Sequence, residues 1–233
     1  MMIQKYLAEQ GICSRREAEK LLKAGLIQVN GRPATPGVPL TPADKVTIDP
    51  AAQKILGAKT TIAIYKPRGV MCTKSQAEGM NVFDMFQEWQ HLNLVGRLDK
   101  ESEGLLLLSD DGLITKQITG SQHRIEKEYE IITLEEVDAE TLQPLETGMV
   151  LSDGPTLPAN IHFINRHMFR IILKEGRNRQ IRRMCGQLGL TVTGLKRIRI
   201  GSLKLNNLWP GDWRRLTLSE IQTMKKHSTG QPN

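Results

Sequence analysis

Cysteine is scarce in this chain of 233 residues. Cys13, Cys72 and Cys185 are odd in number and too scattered for a disulfide framework or a metal knuckle, so they read as reduced thiols of a cytoplasmic protein. Histidine is little commoner. His91, His123, His162, His167 and His227 make no paired ligand pattern, and no metal is expected. Aromatic residues supply 4% of the sequence, too few for a broad platform that stacks single strands. No apolar run approaches a membrane span, and the first residues lack the apolar core of a signal peptide, so neither membrane nor export is expected. Acids are the last shortage. Against 32 Lys and Arg stand 25 Asp and Glu, a formal charge of +7, which points to a polyanionic partner, nucleic acid ahead of an anionic membrane.

The stretch around which the rest is arranged is Asn93 to Gly112, NLVGRLDKESEGLLLLSDDG. Leu105 to Leu108 is too short for a helix and lies between Gly104 and a Ser-Asp-Asp-Gly turn, so it reads as a buried strand. Asp99 sits on the loop before it, between Arg97 and Lys100. Local chemistry leaves two readings open. RLDKESE is a solvated charged turn, or it is a loop fixed by a central strand and holding a catalytic carboxylate kept ionised by nearby cations.

The chain up to Asp49 reads as a compact module. Ser14 stands three residues before Glu17, a capping box opening a helix from Arg15 to Ala24. Ala18, Leu21 and Leu22 give that helix an apolar face, and Arg16, Lys20 and Lys23 a basic one. Leu26 to Val29 reads as a strand and Asn30-Gly31 as a tight turn. Residues 50–60 read as a linker, 61–226 as a second domain beginning with the strand Ile62 to Tyr65, and 227–233 as a disordered tail.

Two further segments carry chemistry. Glu126 to Ile131 alternates as a strand and includes Tyr129, which is a packing residue or a site residue. Lys174 to Arg199 holds eight Lys and Arg against one acid, Glu175. A helix there ends near Gly189, with Ile181, Met184, Cys185 and Leu188 on its core face and Arg179, Arg182 and Arg183 on another. The strand Leu195 to Ile200 follows, expected to show Arg197 and Arg199 on one side and Ile198 and Ile200 on the other. With Arg177, these arginines suggest a positively charged groove for RNA.

The seventeen residues GRLDKESEGLLLLSDDG resemble the signature of pseudouridine synthases of the RsuA/RluB/RluE/RluF type. YKPRGVMC resembles the segment that opens their catalytic domain, with Tyr65 in place of the usual Asn. The K-x-Y pattern of Lys127 and Tyr129 resembles their second motif and EGRNRQIRRM their third, nearest to the RluF branch. SRREAEKLLKAGLIQVNGRPATPGVPL resembles the αL RNA-binding module. The resemblance implies an α+β fold: a small αL module, then a mixed α/β synthase domain with a mostly antiparallel central sheet. It implies that Asp99 is the catalytic carboxylate, that Arg182 pairs with it, and that Tyr129 stacks on the target base and takes part in moving a proton. It further implies that Arg15, Arg16, Lys20 and Lys23 contact phosphates, which positions RNA without reading sequence.

The expected activity is isomerisation of uridine to pseudouridine in structured ribosomal RNA. Large-subunit RNA is preferred over small-subunit RNA or tRNA. The reaction breaks the bond from base nitrogen to ribose, turns the base and rejoins it through carbon. It needs an ionised carboxylate as nucleophile and no cofactor. Arg97 would fill the space vacated by the base or grip its phosphate. Three rivals make different demands: a non-catalytic ribosome-associated RNA binder, a glycosidase using Asp99 with Glu101 or Glu103, and a metal-dependent nuclease using Asp99, Asp110 and Asp111. Nothing in the sequence bears on oligomeric state, and a monomer is the default expectation.

Overall fold

The computed structural model describes residues 1–75, 79–120 and 124–226; the tail expected to be disordered, 227–233, lies outside them. The N-terminal module packs helices α1 (Ile3–Glu9) and α2 (Arg15–Lys23) against a small antiparallel sheet of β1 (Ile27–Val29), β2 (Arg32–Pro33) and β3 (Val46–Ile48), ordered β2-β1-β3. The capping box forms as the sequence implies: Ser14 Oγ accepts from the Glu17 N–H at 3.3 Å, and the Glu17 carboxylate accepts from the Ser14 N–H at 2.8 Å. Ala18, Leu21 and Leu22 are buried, while Arg15, Arg16, Lys20 and Lys23 are exposed on the other face. The stretch expected to be a linker contains a short helix, α3 (Ala52–Leu56), whose Ala52 is buried in the module's core and whose Leu56 packs against it. Apolar residues at 52 and 56 therefore draw the segment onto the module.

The larger sheet contains β4 (Thr61–Lys66), β5 (Asn93–Val95), β6 (Glu103–Ser109), β7 (Lys127–Thr133), β10 (Asn160–Asn165), β11 (Met168–Leu173), β12 (Val192–Ile200), β13 (Leu203–Lys204) and β14 (Trp213–Arg215). The hairpin between α6 (Ala139–Thr147) and β10 is made of β8 (Val150–Leu151) and β9 (Gly154–Pro155). Strand order is β10-β11-β7-β12-β6-β4-β14, with β5 alongside β6 and β13 alongside β12. Every pairing is antiparallel except β12 with β6. The other helices are α4 (Val82–Met85), α5 (Gly112–Thr119), α7 (Gln180–Gln187) and α8 (Leu218–Lys226).

Leu105 to Leu108 is fully buried because β6 is covered on both faces. Leu106 and Leu108 enter one core with Tyr129, Ile131 and Leu195; Leu105 and Leu107 enter a second with Ile114, Ile118 and Met224. Such two-sided burial explains an apolar run without alternation. The parallel contact is short, Lys196 opposite Glu103 and Arg197 opposite Gly104. Gly104 has a φ of +102°, and a Cβ there would press on the Arg197 carbonyl and lie 2.8 Å from its amide nitrogen. Only glycine allows this approach.

The alternation expected over Leu195 to Ile200 is broken. The register shifts between Arg197, opposite Tyr129, and Arg199, opposite Glu128. A bulge of this kind sends the two arginines to opposite faces.

Candidate active site

The loop Arg97 to Ser102 is gripped mostly through its backbone. Arg197 donates from Nε to the Leu105 carbonyl at 2.7 Å and from Nη1 to the Arg97 carbonyl at 3.4 Å. Lys66, fully buried, donates from Nζ to the carbonyls of Ser102 at 2.7 Å and Pro67 at 2.8 Å. Arg182 donates to the carbonyls of Glu101 and Val192, both at 3.0 Å. The Gly69 N–H reaches the Lys100 carbonyl at 2.8 Å, and Cys72 Sγ accepts from the Leu98 N–H at 3.4 Å. Burial desolvates Lys66 and lowers its pKa, yet both carbonyls lie within charge-assisted hydrogen-bond distance. These contacts fix the backbone that carries Asp99.

Asp99 opens into a cleft of about 820 Å³. Its walls include the loop, the end of α5 at Ile118 to Gly120, Lys127 and Tyr129 of β7, and the segment Lys174 to Ile181 leading into α7. The Asp99 side chain is 29% exposed, and the cation nearest its carboxylate is Arg179, Nη1 to Oδ2 at 3.9 Å. The pairing expected of Arg182 therefore falls to Arg179. Arg179 is the left-handed N-cap of α7, with φ 47°, ahead of the first helical turn, whereas Arg182 lies within that turn and binds carbonyls of the Asp99 loop and β12. Tyr129 is 9% exposed and contributes to the cleft wall. It both packs in the core and lines the cleft.

The remaining cations divide. Arg97 lines the cleft beside Asp99. Arg177 lines it too, but its guanidinium is held by Glu175 at 3.2 Å, by the Gly154 carbonyl at 2.9 Å and by the Pro155 carbonyl. Arg183 forms a two-pronged pair with Asp153 at 2.8 and 3.0 Å, which holds the Asp153 carboxyl down to about 2. Arg199 binds Glu128 at 2.7 Å and Glu126 at 3.3 Å, and Arg197 is 3% exposed. Of the arginines expected to form a positively charged groove, Arg177, Arg179 and Arg197 line the cleft and Arg183 and Arg199 do not: Arg177 and Arg183 clip the β8–β9 hairpin to α7, Arg197 anchors the Asp99 loop, and Arg199 faces acids across the bulge. Lys66, Arg124 and Lys127 line or support the site and were not named as site residues from the sequence, although Lys127 belongs to the K-x-Y pattern. For Lys127 the signal was its place two residues before Tyr129, on the same strand face.

The carboxylates required by two rivals stand elsewhere. Glu101 turns outward to Arg68 at 3.3 Å, and Glu101 and Glu103 are not among the cleft residues. Asp110 and Asp111 lie at the far end of β6, where Asp110 accepts from the Thr60 N–H and Asp111 caps α5 and pairs with Lys225. Among the described residues no three His, Cys, Asp or Glu group as a metal site.

A partly exposed carboxylate on a rigid loop, near a cation, in a cleft it shares with a tyrosine and whose other carboxylate, Glu175, is held by Arg177 and Gln180, suits covalent catalysis on one substrate. The chain belongs to the RNA pseudouridylate synthase family, which residues 60–187 match, and residues 1–46 match the S4 domain; it is an RNA pseudouridine synthase with an N-terminal S4 domain. Among its relatives, the dual-specificity RNA pseudouridine synthase RluF of Escherichia coli K12 is 34% identical over 94% of this chain and 76% of its own length. Ribosomal large subunit pseudouridine synthase B of Bacillus subtilis 168 is 34% identical over 96% of this chain and 95% of its own. A crystal structure of a pseudouridylate synthase superposes with a TM-score of 0.69 at 26% identity, covering 96% of this chain and 99% of that one.

Proposed function

We propose that the enzyme isomerises a specific uridine in ribosomal RNA of the large subunit, in the cytoplasm, with Asp99 as nucleophile. The observation that carries the assignment is the carbonyl-anchored loop that presents Asp99 to the cleft beside Arg179. A cation at that distance can orient the carboxylate that acts as nucleophile. Tyr129 offers an aromatic wall for a base drawn out of its stack. Arg97, beside Asp99, is placed to occupy the gap left in the RNA or to hold its phosphate. The exposed Arg15, Arg16, Lys20 and Lys23 give the S4 domain a face for backbone phosphates. The choice of ribosomal RNA rests on relatives that match nearly the whole chain, one of them named for the large subunit. No helix among the described residues is long and apolar enough to cross a membrane.

The test is pseudouridine mapping across total RNA from cells carrying the wild type or Asp99→Asn. Loss of one or two defined large-subunit sites, with RNA binding by the variant retained, is the expected result. Persistence of every site, in cells shown to hold no redundant synthase, would remove Asp99 from catalysis.

A further inference from the structure

The isomerisation must move one proton as well as the base. When the ring is rejoined to ribose through C5, that carbon still bears its hydrogen, and N1 has none. Restoring the ring requires loss of the C5 proton. The C–H electron pair re-forms the C5–C6 double bond, the N1–C6 π pair withdraws to N1, and N1 takes up a proton.

Lys127 lines the same cleft as Asp99. It lies on β7 two residues before Tyr129, so both side chains share the cleft face. Its neighbours across the sheet are apolar, Leu173 on β11 and Ile200 on β12. The amine donates to one carbonyl, Ile125 O at 3.0 Å. Among the described residues it has no carboxylate within ion-pair distance. The charged groups sharing the cleft are Arg124 before its own strand, Lys174 and Glu175 beyond β11, Arg197 on β12, Arg177 and Arg179 before α7, and Arg97, Asp99 and Lys100 on the loop. The two acids are engaged: Glu175 by Arg177, Gln180 and the Leu157 N–H, and Asp99 by Arg179. Lys127 thus faces a cleft in which cations prevail.

We propose that the neutral amine of Lys127 accepts the C5 proton of the rejoined ring and that the resulting ammonium returns a proton to N1, leaving the amine unchanged over the cycle. Burial, followed by the charge of Arg197, pushes Lys127 down to about 8, so part of it is neutral near physiological pH, as a general base requires. This inference rests on the synthase reading of the cleft.

The probe is total ribosomal RNA labelled with [5-³H]uridine, taken from cells lacking the gene. Release of tritium to water reads cleavage of the C5–H bond directly. Lys127→Arg keeps the charge and a donor for the Ile125 carbonyl but cannot give up its proton. Under single-turnover conditions its tritium release should fall by at least roughly a hundredfold, the scale of a lost general base, with RNA affinity unchanged. The wild-type rate should rise with pH and level off above about 8. Lys127→Met should be equally slow, yet melt no lower than wild type at pH 7, since it removes a desolvated charge. A wild-type rate that is flat between pH 6 and 9, or release by Lys127→Arg within about threefold of wild type, would overturn the proposal. Should Lys127→Arg fail to fold, the wild-type profile and the methionine variant decide in the same way. If wild type releases no more tritium than Asp99→Asn, the synthase reading of the cleft fails first.

Discussion

Gly104→Ala should be among the most damaging small substitutions in the chain. Two separate costs meet there. The backbone at φ +102° must be held in a region that L-residues avoid, a strain of about 1–3 kcal/mol. The new methyl would also press on the Arg197 carbonyl and lie 2.8 Å from its amide nitrogen. Both atoms are backbone, so relief requires β12 to move from β6, and overpacking of this kind costs about 1–3 kcal/mol more. A chain of this length loses roughly 2–4 °C of melting temperature per kcal/mol, so the total of about 2–6 kcal/mol is a drop of roughly 4–24 °C. Gly211→Ala provides the control, because Gly211 has a φ of +92° with nothing within 4 Å of a Cβ and should show the strain alone. Thermal melts of wild type and both variants separate the two costs. If Gly104→Ala melts no lower than Gly211→Ala, the close strand approach is not what fixes glycine at 104. Activity should fall further than the folded fraction does, since moving β12 also moves Arg197 and the carbonyls it holds.

Two other perturbations follow from the site and the C-terminal helix. Arg179→Ala should slow turnover roughly tenfold to a hundredfold, the effect of an electrostatic partner to a catalytic group, with little change in melting because Arg179 is half exposed. Arg182→Ala should instead lower stability by about 1–3 kcal/mol by stranding two carbonyls; the reverse pattern would return the pairing with Asp99 to Arg182. In Glu220→Gln the pH dependence is diagnostic. Hydrogen bonds from Arg214 hold the Glu220 carboxyl down to about 2, against an ordinary 4.5. Its folded value is depressed, so its stabilisation is complete above about 4.5 and is lost as pH falls toward 2. The melting deficit of Glu220→Gln should therefore shrink over that window, and a constant deficit would contradict the linkage.

The parts legible in sequence were those set by local rules. The capping box at Ser14 and Glu17, the Asn30-Gly31 turn and the buried Leu105 to Leu108 strand each depend on residues close in the chain. The same rules placed the Asp99 loop before that strand but left two readings of its carboxylate open, and the resemblance to a family chose between them. What escaped were outcomes settled between distant segments. Arg179 and Arg182 are three residues apart on one basic stretch, and only the left-handed turn at 179 decides which meets Asp99. The bulge after Arg197 cannot be read from an alternating string, because it depends on the register that β7 imposes. Lys66 reads as the end of a strand until its two carbonyl acceptors, one of them thirty-six residues away, are in place.

The grip on the Asp99 loop has a consequence for how such enzymes diverge. Arg197, Lys66 and Arg182 bind peptide oxygens, which every residue type supplies. The side chains of Lys100 and Glu101 are therefore released from the task of shaping the loop. They can change charge, size or polarity while the carboxylate one or two residues away keeps its position. The shape of these six residues is held through peptide oxygens, so side chains can drift without erasing it.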